Sequence, residues 1–239
     1  LTIACDRSFL LFGLSQIRFS HFCLIKIRFL ANLYINTQIF HVNLICMNYL
    51  AHLYLAEDSP ESLLGSMMGD FVKGAIGDRY PPNIKRGIEL HRKIDSYTDS
   101  HPTTRVCRNL YSPARRRFAG IIVDLCYDHF LYRHWPEFSD VKLDGFISRV
   151  YDILMTHSAT LPARMEAMVP VMISEDWLGS YQDLMGVEKA LIRLSKRVTN
   201  GDRLLGAIEE IEPHYRSLEA NFLIFFPDLI RFVQNFQIR

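Results

Sequence analysis

The stretch GIELHRKIDSYTDSHP, residues 87–102, carries the side chains best suited to chemistry. Within it, His91, Asp95 and Asp99 follow one another at intervals of four residues. On a helix this spacing puts the three side chains near one face, one above the other. An imidazole and carboxylates arranged in this way can share a divalent cation or hold a water molecule for hydrolysis. The spacing therefore predicts a hydrolytic metal site on this segment.

A second segment, residues 124–135, repeats the spacing. Asp124 and Asp128 share a helical face there, and His129 is displaced from it by about 100°. Apolar residues surround these side chains, and a buried acid is costly unless it is paired, hydrogen-bonded or bound to a metal. Taken alone, the segment also fits a helix-capping Asp, a solvated Asp and a core His. Together with His91, it favours metal binding.

Two more residues are candidates for the same site. Asp70 lies in MMGDFVKG, residues 67–74, where it either hydrogen-bonds a helix end or supplies a ligand from another helix. His52 lies in the apolar stretch NYLAHLYLA. A histidine in that setting is more typical of a satisfied core residue than of a ligand, although both interpretations stay open.

The elements that position these residues are predicted to be helices. Ser59-Pro60-Glu61 supplies a capping residue, a proline at the first helical position and an acid in the first turn. No alternating strand pattern and no fixed-period repeat follows residue 47. We therefore expect an all-α, single-domain helical bundle over residues 47–239. The first predicted helix covers 48–56. The second runs from 60 toward 69–71, and Gly74 and Gly77 are expected to end it. A third runs from 82 to 101, and a short one follows to about 111. The remaining predicted helices cover 115–134, 143–156, 162–172, 182–199 and 203–236.

Residues 1–46 differ from the rest of the chain. They contain one acid and four basic residues, so this leader carries +3 and the remainder −2, and the first Met is Met47. Basic residues interrupt the apolar runs that a transmembrane anchor needs, and no small-residue cleavage site marks a signal peptide. We expect the leader to be upstream sequence translated from too early a start, with a targeting role or a packed extension as alternatives.

The totals exclude several classes of protein. A net charge of +1 is too small for a general nucleic-acid binder. The five cysteines form neither a CxxC motif nor a zinc-finger spacing, which favours reduced thiols and a cytoplasmic location. The chain also lacks the phosphate-binding glycine loops, the G-x-S-x-G motif and the H-E-x-x-H motif.

A basic stretch lies beside the proposed site. No acid occurs between His101 and Val123, whereas five arginines do, and further basic residues precede them. In a region of net negative charge, this makes a local surface suited to a phosphate or to an acidic protein. A solvated face of two helices is the alternative. The residues concerned are Lys85, Arg86, Arg92, Lys93, Arg105, Arg108, Arg115, Arg116 and Arg117.

Four ordered blocks resemble the acyl carrier protein phosphodiesterase family, also called acyl carrier protein hydrolase. They are MNYLAHLYLA from residue 47, MGDFVKG from residue 68, GIELHRKIDSYTD from residue 87 and DLCYDHFLYRHW from residue 124. The resemblance runs from Met47 to about Phe236. It implies an all-α fold related to the HD-type metal phosphohydrolases. It also implies hydrolysis of the phosphodiester that joins 4′-phosphopantetheine to a serine of holo-acyl carrier protein, with Mn²⁺ or Mg²⁺.

The resemblance also implies a set of site residues: Asp70, His91, Asp95, Asp124, Asp128 and His129, with Asp99 and His52 as supporting members. The adjacent His-Asp pair of HD proteins is replaced here by the reversed order Asp128-His129. We assign His91, Asp95, Asp124 and Asp128 to the metal. Catalysis is assigned to Asp70, His129 and His52, and substrate binding to Arg92, Arg115, Arg116 and Arg117.

The expected partner is holo-acyl carrier protein, an acidic protein substrate, in the cytoplasm and without stable membrane association. Two alternatives remain from the residues alone. The same metal site could act on a nucleotide or another small phosphodiester. The chain could instead be a helical module that binds an acidic partner without catalysis.

Overall fold

A computed structural model describes residues 49–237 of the 239-residue chain, and every regular element in that part is helical. The prediction of an all-α fold is therefore confirmed. The leader, residues 1–46, lies outside the described residues, as does the boundary expected at Met47. Both stay predictions.

Three helices at the start of the described part position the candidate residues: α1 (Tyr49–Leu55), α2 (Pro60–Met68) and α3 (Pro82–Ser100). Helix α2 starts at the predicted position, because the hydroxyl oxygen of Ser59 accepts a hydrogen bond from the Ser62 amide at 3.2 Å. It ends at Met68, before the two glycines expected to stop it. Those glycines, Gly74 and Gly77, instead occupy left-handed positions (φ 72° and 64°) in the loop that leads to α3.

The remaining helices are α4 (Pro102–Arg108), α5 (Ala119–Arg133), α6 (Trp135–Phe138), α7 (Leu143–Thr156), α8 (Ala163–Ser174), α9 (Leu184–Ser195), α10 (Ile208–Ile211) and α11 (Tyr215–Gln237). The bounds of α7 match the predicted ones. The long segment predicted over 203–236 is divided, and its main helix starts at Tyr215, just after Pro213. Pro213 lies in the short turn before this helix, where a proline is well tolerated, whereas Pro227 is accommodated inside the helix.

Two glycines let α2 and α3 approach each other closely. A Cβ added to Gly65 would lie 2.9 Å from the Gly87 Cα, and one added to Gly87 would lie 2.9 Å from the Gly65 Cα. Any side chain at either position would force the backbones apart. The close crossing brings the C-terminal end of α2 against the middle of α3, where the candidate site lies.

Helix α5 is buried along most of its length, with apolar residues such as Ile122, Leu125 and Phe130 fully enclosed. It packs against α1, α4, α9 and α11. A helix that is apolar on nearly all sides belongs in the core. Its acidic residues are therefore held among apolar neighbours. Among the helices of residues 49–237, none combines the length and the apolar character needed to cross a bilayer.

Candidate metal centre

The ligand atoms of His52, His91 and Asp95 converge in one place, all within 4.8 Å of one another. The Nε2 atom of His52 lies 3.1 Å from Oδ1 of Asp95, and Nε2 of His91 lies 3.3 Å from Oδ2. The two imidazoles stack with their centroids 3.8 Å apart and an interplanar angle of 16°. This group of three could hold a metal ion.

Neighbouring backbone groups fix the position of the His91 ring. Its Nδ1 lies 2.7 Å from the carbonyl oxygen of Ser66, at the end of α2. A carbonyl only accepts hydrogen bonds, so Nδ1 carries the proton and Nε2 faces the carboxylates. Histidines that bind metals are usually oriented by such a contact. The Ser66 hydroxyl also donates to the His52 carbonyl oxygen at 2.8 Å, which ties α1 to α2 at the same point.

Gly69 makes room for the same ring. A Cβ at this position would lie 2.2 Å from Cγ of His91 and 2.3 Å from its Cδ2. The next residue, Asp70, is buried and puts Oδ1 3.5 Å from Nε2 of His91. Its other oxygen, Oδ2, is buried and has no hydrogen-bond partner within residues 49–237. The end of α2 therefore supplies both the space for the imidazole and a carboxylate beside it.

Asp124, on α5, lies near enough to the cluster for the charges of Asp95 and Asp70 to act on it. Burial raises the pKa of Asp124 to about 8, and the negative charge of Asp95 adds to the shift, which the positive charge of Arg108 partly opposes. Its Oδ1 is buried without a hydrogen-bond partner among the described residues. Carboxylates that repel one another in this way are stabilised either by a bound cation or by protonation.

In the protein without metal, protonation offsets part of the negative charge of these carboxylates. Burial lowers the pKa of His91, but the carboxylates of Asp70 and Asp95 outweigh burial and raise it to about 10. Burial opposes ionisation of Asp95, yet its contacts with His52 and His91 hold its pKa well below the usual range. Burial, followed by the charge of His91, lowers the pKa of His52. A proton on His91 thus takes the place that a bound cation would occupy.

Solvent reaches the cluster at Asp95. The side chains of His52 and His91 are 1% and 2% exposed, whereas that of Asp95 is 35% exposed. A substrate would therefore reach the cluster past Asp95. The buried side, formed by α1 and the end of α2, excludes bulk water.

The structure places Asp128 elsewhere than predicted. Its two carboxylate oxygens accept hydrogen bonds from the amides of Leu50 (3.0 Å) and Ala51 (2.8 Å) at the start of α1. The first amides of a helix have no partner within the helix, so this carboxyl group caps α1. Asp128 therefore supports His52 from a distance and is not one of the clustered ligands.

His129 is also outside the cluster. Its Nδ1 lies 2.7 Å from the carbonyl oxygen of Tyr181, and its Nε2 lies 2.9 Å from the Tyr215 hydroxyl. Both ring nitrogens are engaged in contacts that join α5 to α11 and to the turn before α9. The catalytic role predicted for His129 does not fit this position, because the ring has no nitrogen left to face a substrate.

The four arginines predicted to bind substrate fall into two pairs. Arg92 donates to the Val72 carbonyl oxygen at 2.6 Å. Arg115 pairs with Glu210 and donates to the Leu205 carbonyl oxygen. Both arginines therefore hold loops in place. Arg116 and Arg117 are exposed at the turn before α5. The latter two keep the position expected of residues that meet an acidic partner.

Sequence reasoning did not single out Arg108 or Ser66. Arg108 pairs with Asp99, the third member of the spaced set on α3. In the sequence, Arg108 looks like any other arginine of the basic stretch, and Ser66 acts through its backbone carbonyl and its hydroxyl. No spacing rule reveals either contact.

Comparison with known proteins gives a consistent result. The family model described as "Acyl carrier protein phosphodiesterase" matches residues 47–229. The acyl carrier protein phosphodiesterase of Yersinia pestis is 37% identical over 193 residues, which cover 80% of this chain and all of that protein. The protein of the same name from Serratia proteamaculans is 34% identical over the same coverage. No solved structure matches the chain. The chain belongs to the acyl carrier protein phosphodiesterase family.

Proposed function

We propose that this chain hydrolyses the phosphodiester between 4′-phosphopantetheine and a serine of holo-acyl carrier protein, giving apo-acyl carrier protein. The convergence of His52, His91 and Asp95 carries the proposal, because in a member of this family it brings together three side chains that could hold a metal ion. Asp70 and Asp124 extend the site with two more carboxylates.

The residues present fit a divalent cation. Three buried polar atoms around the cluster have no hydrogen-bond partner among the described residues: Nδ1 of His52, Oδ2 of Asp70 and Oδ1 of Asp124. Nε2 of His91 faces carboxylate oxygens of Asp95 and Asp70 at 3.3 and 3.5 Å. Carboxylates suit Mn²⁺ and Mg²⁺ equally, whereas imidazole ligands favour transition metals, so we favour Mn²⁺. We assign His91, Asp95 and Asp124 as ligands, with His52 completing the set. A cation held there lowers the pKa of a bound water and offsets negative charge on the phosphoryl oxygens.

The protein's own groups would orient and deprotonate the attacking water. Asp70 has one oxygen beside His91 and a second, Oδ2, that is free to accept a hydrogen bond. A carboxylate in that position can take a proton from a water molecule that lies within hydrogen-bond distance. The Ser66 carbonyl keeps the His91 ring in place while this happens.

The partner follows from the charge near the site. Arg116 and Arg117 lie in the short turn just before α5, seven to eight residues before Asp124. Along a helix axis, this number of residues spans about 11 Å. Exposed cations at that distance would steer an acidic carrier protein toward the cluster. The free, buried thiols of Cys107 and Cys126 fit a reducing cytoplasm, which is where we place the reaction.

The test compares substrates on the full chain in the presence of Mn²⁺. Mass spectrometry of holo-acyl carrier protein should show loss of the phosphopantetheine group, whereas a nucleotide phosphodiester should be cleaved far more slowly. His91→Ala and Asp95→Ala should stop turnover and leave the helical circular-dichroism signal in place. A folded, Mn²⁺-loaded chain that leaves holo-acyl carrier protein intact would contradict the proposal.

A further inference from the structure

Arg108 bridges the two helices that carry the site's carboxylates. From α4, its guanidinium pairs with Asp99 of α3. It also covers Gly120 of α5, where an added Cβ would lie 3.0 Å from Nη2 and 3.3 Å from both Cζ and Nε. A side chain at residue 120 would therefore push the guanidinium aside by a few tenths of an ångström.

The position of Arg108 relative to the cluster follows from helix geometry. Asp99 is one turn beyond Asp95 on α3, and Gly120 is one turn before Asp124 on α5. The guanidinium therefore lies one turn from a carboxylate of the site on each helix.

Arg108 keeps hydrogen-bonding capacity after pairing with Asp99. Only its Nη2 is used in that contact, and its Nε is buried without a partner among the described residues. The side chain is 26% exposed, so a ligand can reach the rest of the group. A guanidinium offers five N–H donors in a planar fork that matches the oxygens of a phosphate.

We propose that Arg108 is a catalytic residue that donates hydrogen bonds to a non-bridging oxygen of the substrate phosphodiester. The inference rests on the proposed function and adds the residue that binds the anion. A site built from several carboxylates repels a phosphodiester, and Arg108 is placed to offset that repulsion. Asp99 acts as its positioning residue by holding Nη2 and leaving the other donors free.

The test uses three variants of the full chain and a matched control. Arg108→Gln removes the charge, Arg108→Lys keeps it without the fork, and Gly120→Ala shifts the guanidinium by a few tenths of an ångström without changing its charge. The control, Arg231→Gln, breaks another arginine–aspartate pair, that with Asp228 on α11. Three quantities are measured: Mn²⁺ affinity, the affinity of the Mn²⁺-loaded protein for inorganic phosphate, and kcat and KM on holo-acyl carrier protein.

We expect Arg108→Gln to lower kcat about 100- to 1000-fold, as loss of a transition-state donor does, and to weaken phosphate binding at least tenfold. Arg108→Lys should recover part of both losses, and Gly120→Ala should weaken phosphate binding without lowering the unfolding temperature. Mn²⁺ affinity should stay the same or increase, because a nearby positive charge has been removed.

Wild-type phosphate affinity in Arg108→Gln would overturn the proposal. So would a loss of Mn²⁺ binding that parallels the loss of activity, since that result would make Arg108 a support for the metal site. If phosphate binding depends on Arg108 but wild-type protein cleaves no carrier protein, then the proposed function fails and the anion site stands.

Discussion

Gly69→Ala is expected to disable the metal centre without touching a ligand. Gly69 has ordinary right-handed helical angles (φ −51°, ψ −39°), so its backbone accepts an alanine. The added methyl would lie 2.2 Å from Cγ of His91, 2.3 Å from its Cδ2 and 2.7 Å from its Cβ. The conflict is therefore with the imidazole and its attachment to α3.

The size of the effect follows from these distances. Carbon atoms in contact rest about 3.5 to 4.0 Å apart, so the His91 ring or the end of α2 must move by more than about 1 Å. Metal–ligand distances tolerate only about 0.2 Å, so Nε2 of His91 would no longer fit the site. A misplacement of about 1 Å in a catalytic group costs about 100-fold in rate. Overpacking costs about 1–3 kcal/mol of unfolding free energy.

The assay measures Mn²⁺ affinity by calorimetry, turnover of holo-acyl carrier protein by mass spectrometry, and stability by chemical unfolding. The control is Gly145→Ala in α7, where nothing lies within 4 Å of the new methyl. Alanine is favoured over glycine in a helix by about 0.8–1.0 kcal/mol, so the control should gain stability and keep full activity. Wild-type Mn²⁺ affinity and turnover in Gly69→Ala would refute the close packing of α2 against His91.

Three other predictions follow from named contacts. The pKa of His91 in the folded protein is raised to about 10, so the protein without metal should lose unfolding free energy as the pH rises from about 7 to 10. Mn²⁺ affinity should increase over the same range. An unfolding free energy and a Mn²⁺ affinity that both stay constant with pH would contradict this prediction. Asp128→Ala should cost about 1–3 kcal/mol of unfolding free energy because two amides of α1 lose their acceptor; lost Mn²⁺ binding at unchanged stability would instead identify Asp128 as a ligand. Charge reversal at Arg116 and Arg117 should raise KM for holo-acyl carrier protein, and the effect should become smaller as the salt concentration increases. A KM that changes neither with the charge reversal nor with salt would exclude electrostatic steering by these two arginines.

The sequence was sufficient to predict the fold class and to place His91 and Asp95 together in the site. The helical period and the cap at Ser59 depend on local interactions, which sequence patterns report directly. His91 and Asp95 lie one turn apart on a single helix, so their spacing was enough to place them together. The position of His52, by contrast, depends on how α1 packs against α2 and α3.

Asp124 and Asp128 show why the rest was not predictable. Both lie on one face of α5, four residues apart, and their spacing gives no reason to separate them. They differ because both carboxylate oxygens of Asp128 accept hydrogen bonds from amides of α1. Those amides lie 77 and 78 residues away in the chain. The arginines differ for the same reason. Distant carbonyl groups accept hydrogen bonds from Arg92 and Arg115, whereas Arg116, which donates to the nearby Tyr111 carbonyl oxygen at 3.5 Å, and Arg117 are exposed.

The central claim is that imidazoles and carboxylates from α1, α2, α3 and α5 form one metal-dependent hydrolytic site. The most direct measurement removes divalent ions from the purified chain with a chelator, restores Mn²⁺ and follows the mass of holo-acyl carrier protein. We predict that cleavage stops on chelation, returns with Mn²⁺ in the wild type and does not return in His91→Ala. Cleavage that continues in the chelated protein, or that Mn²⁺ restores equally in His91→Ala, would contradict the account.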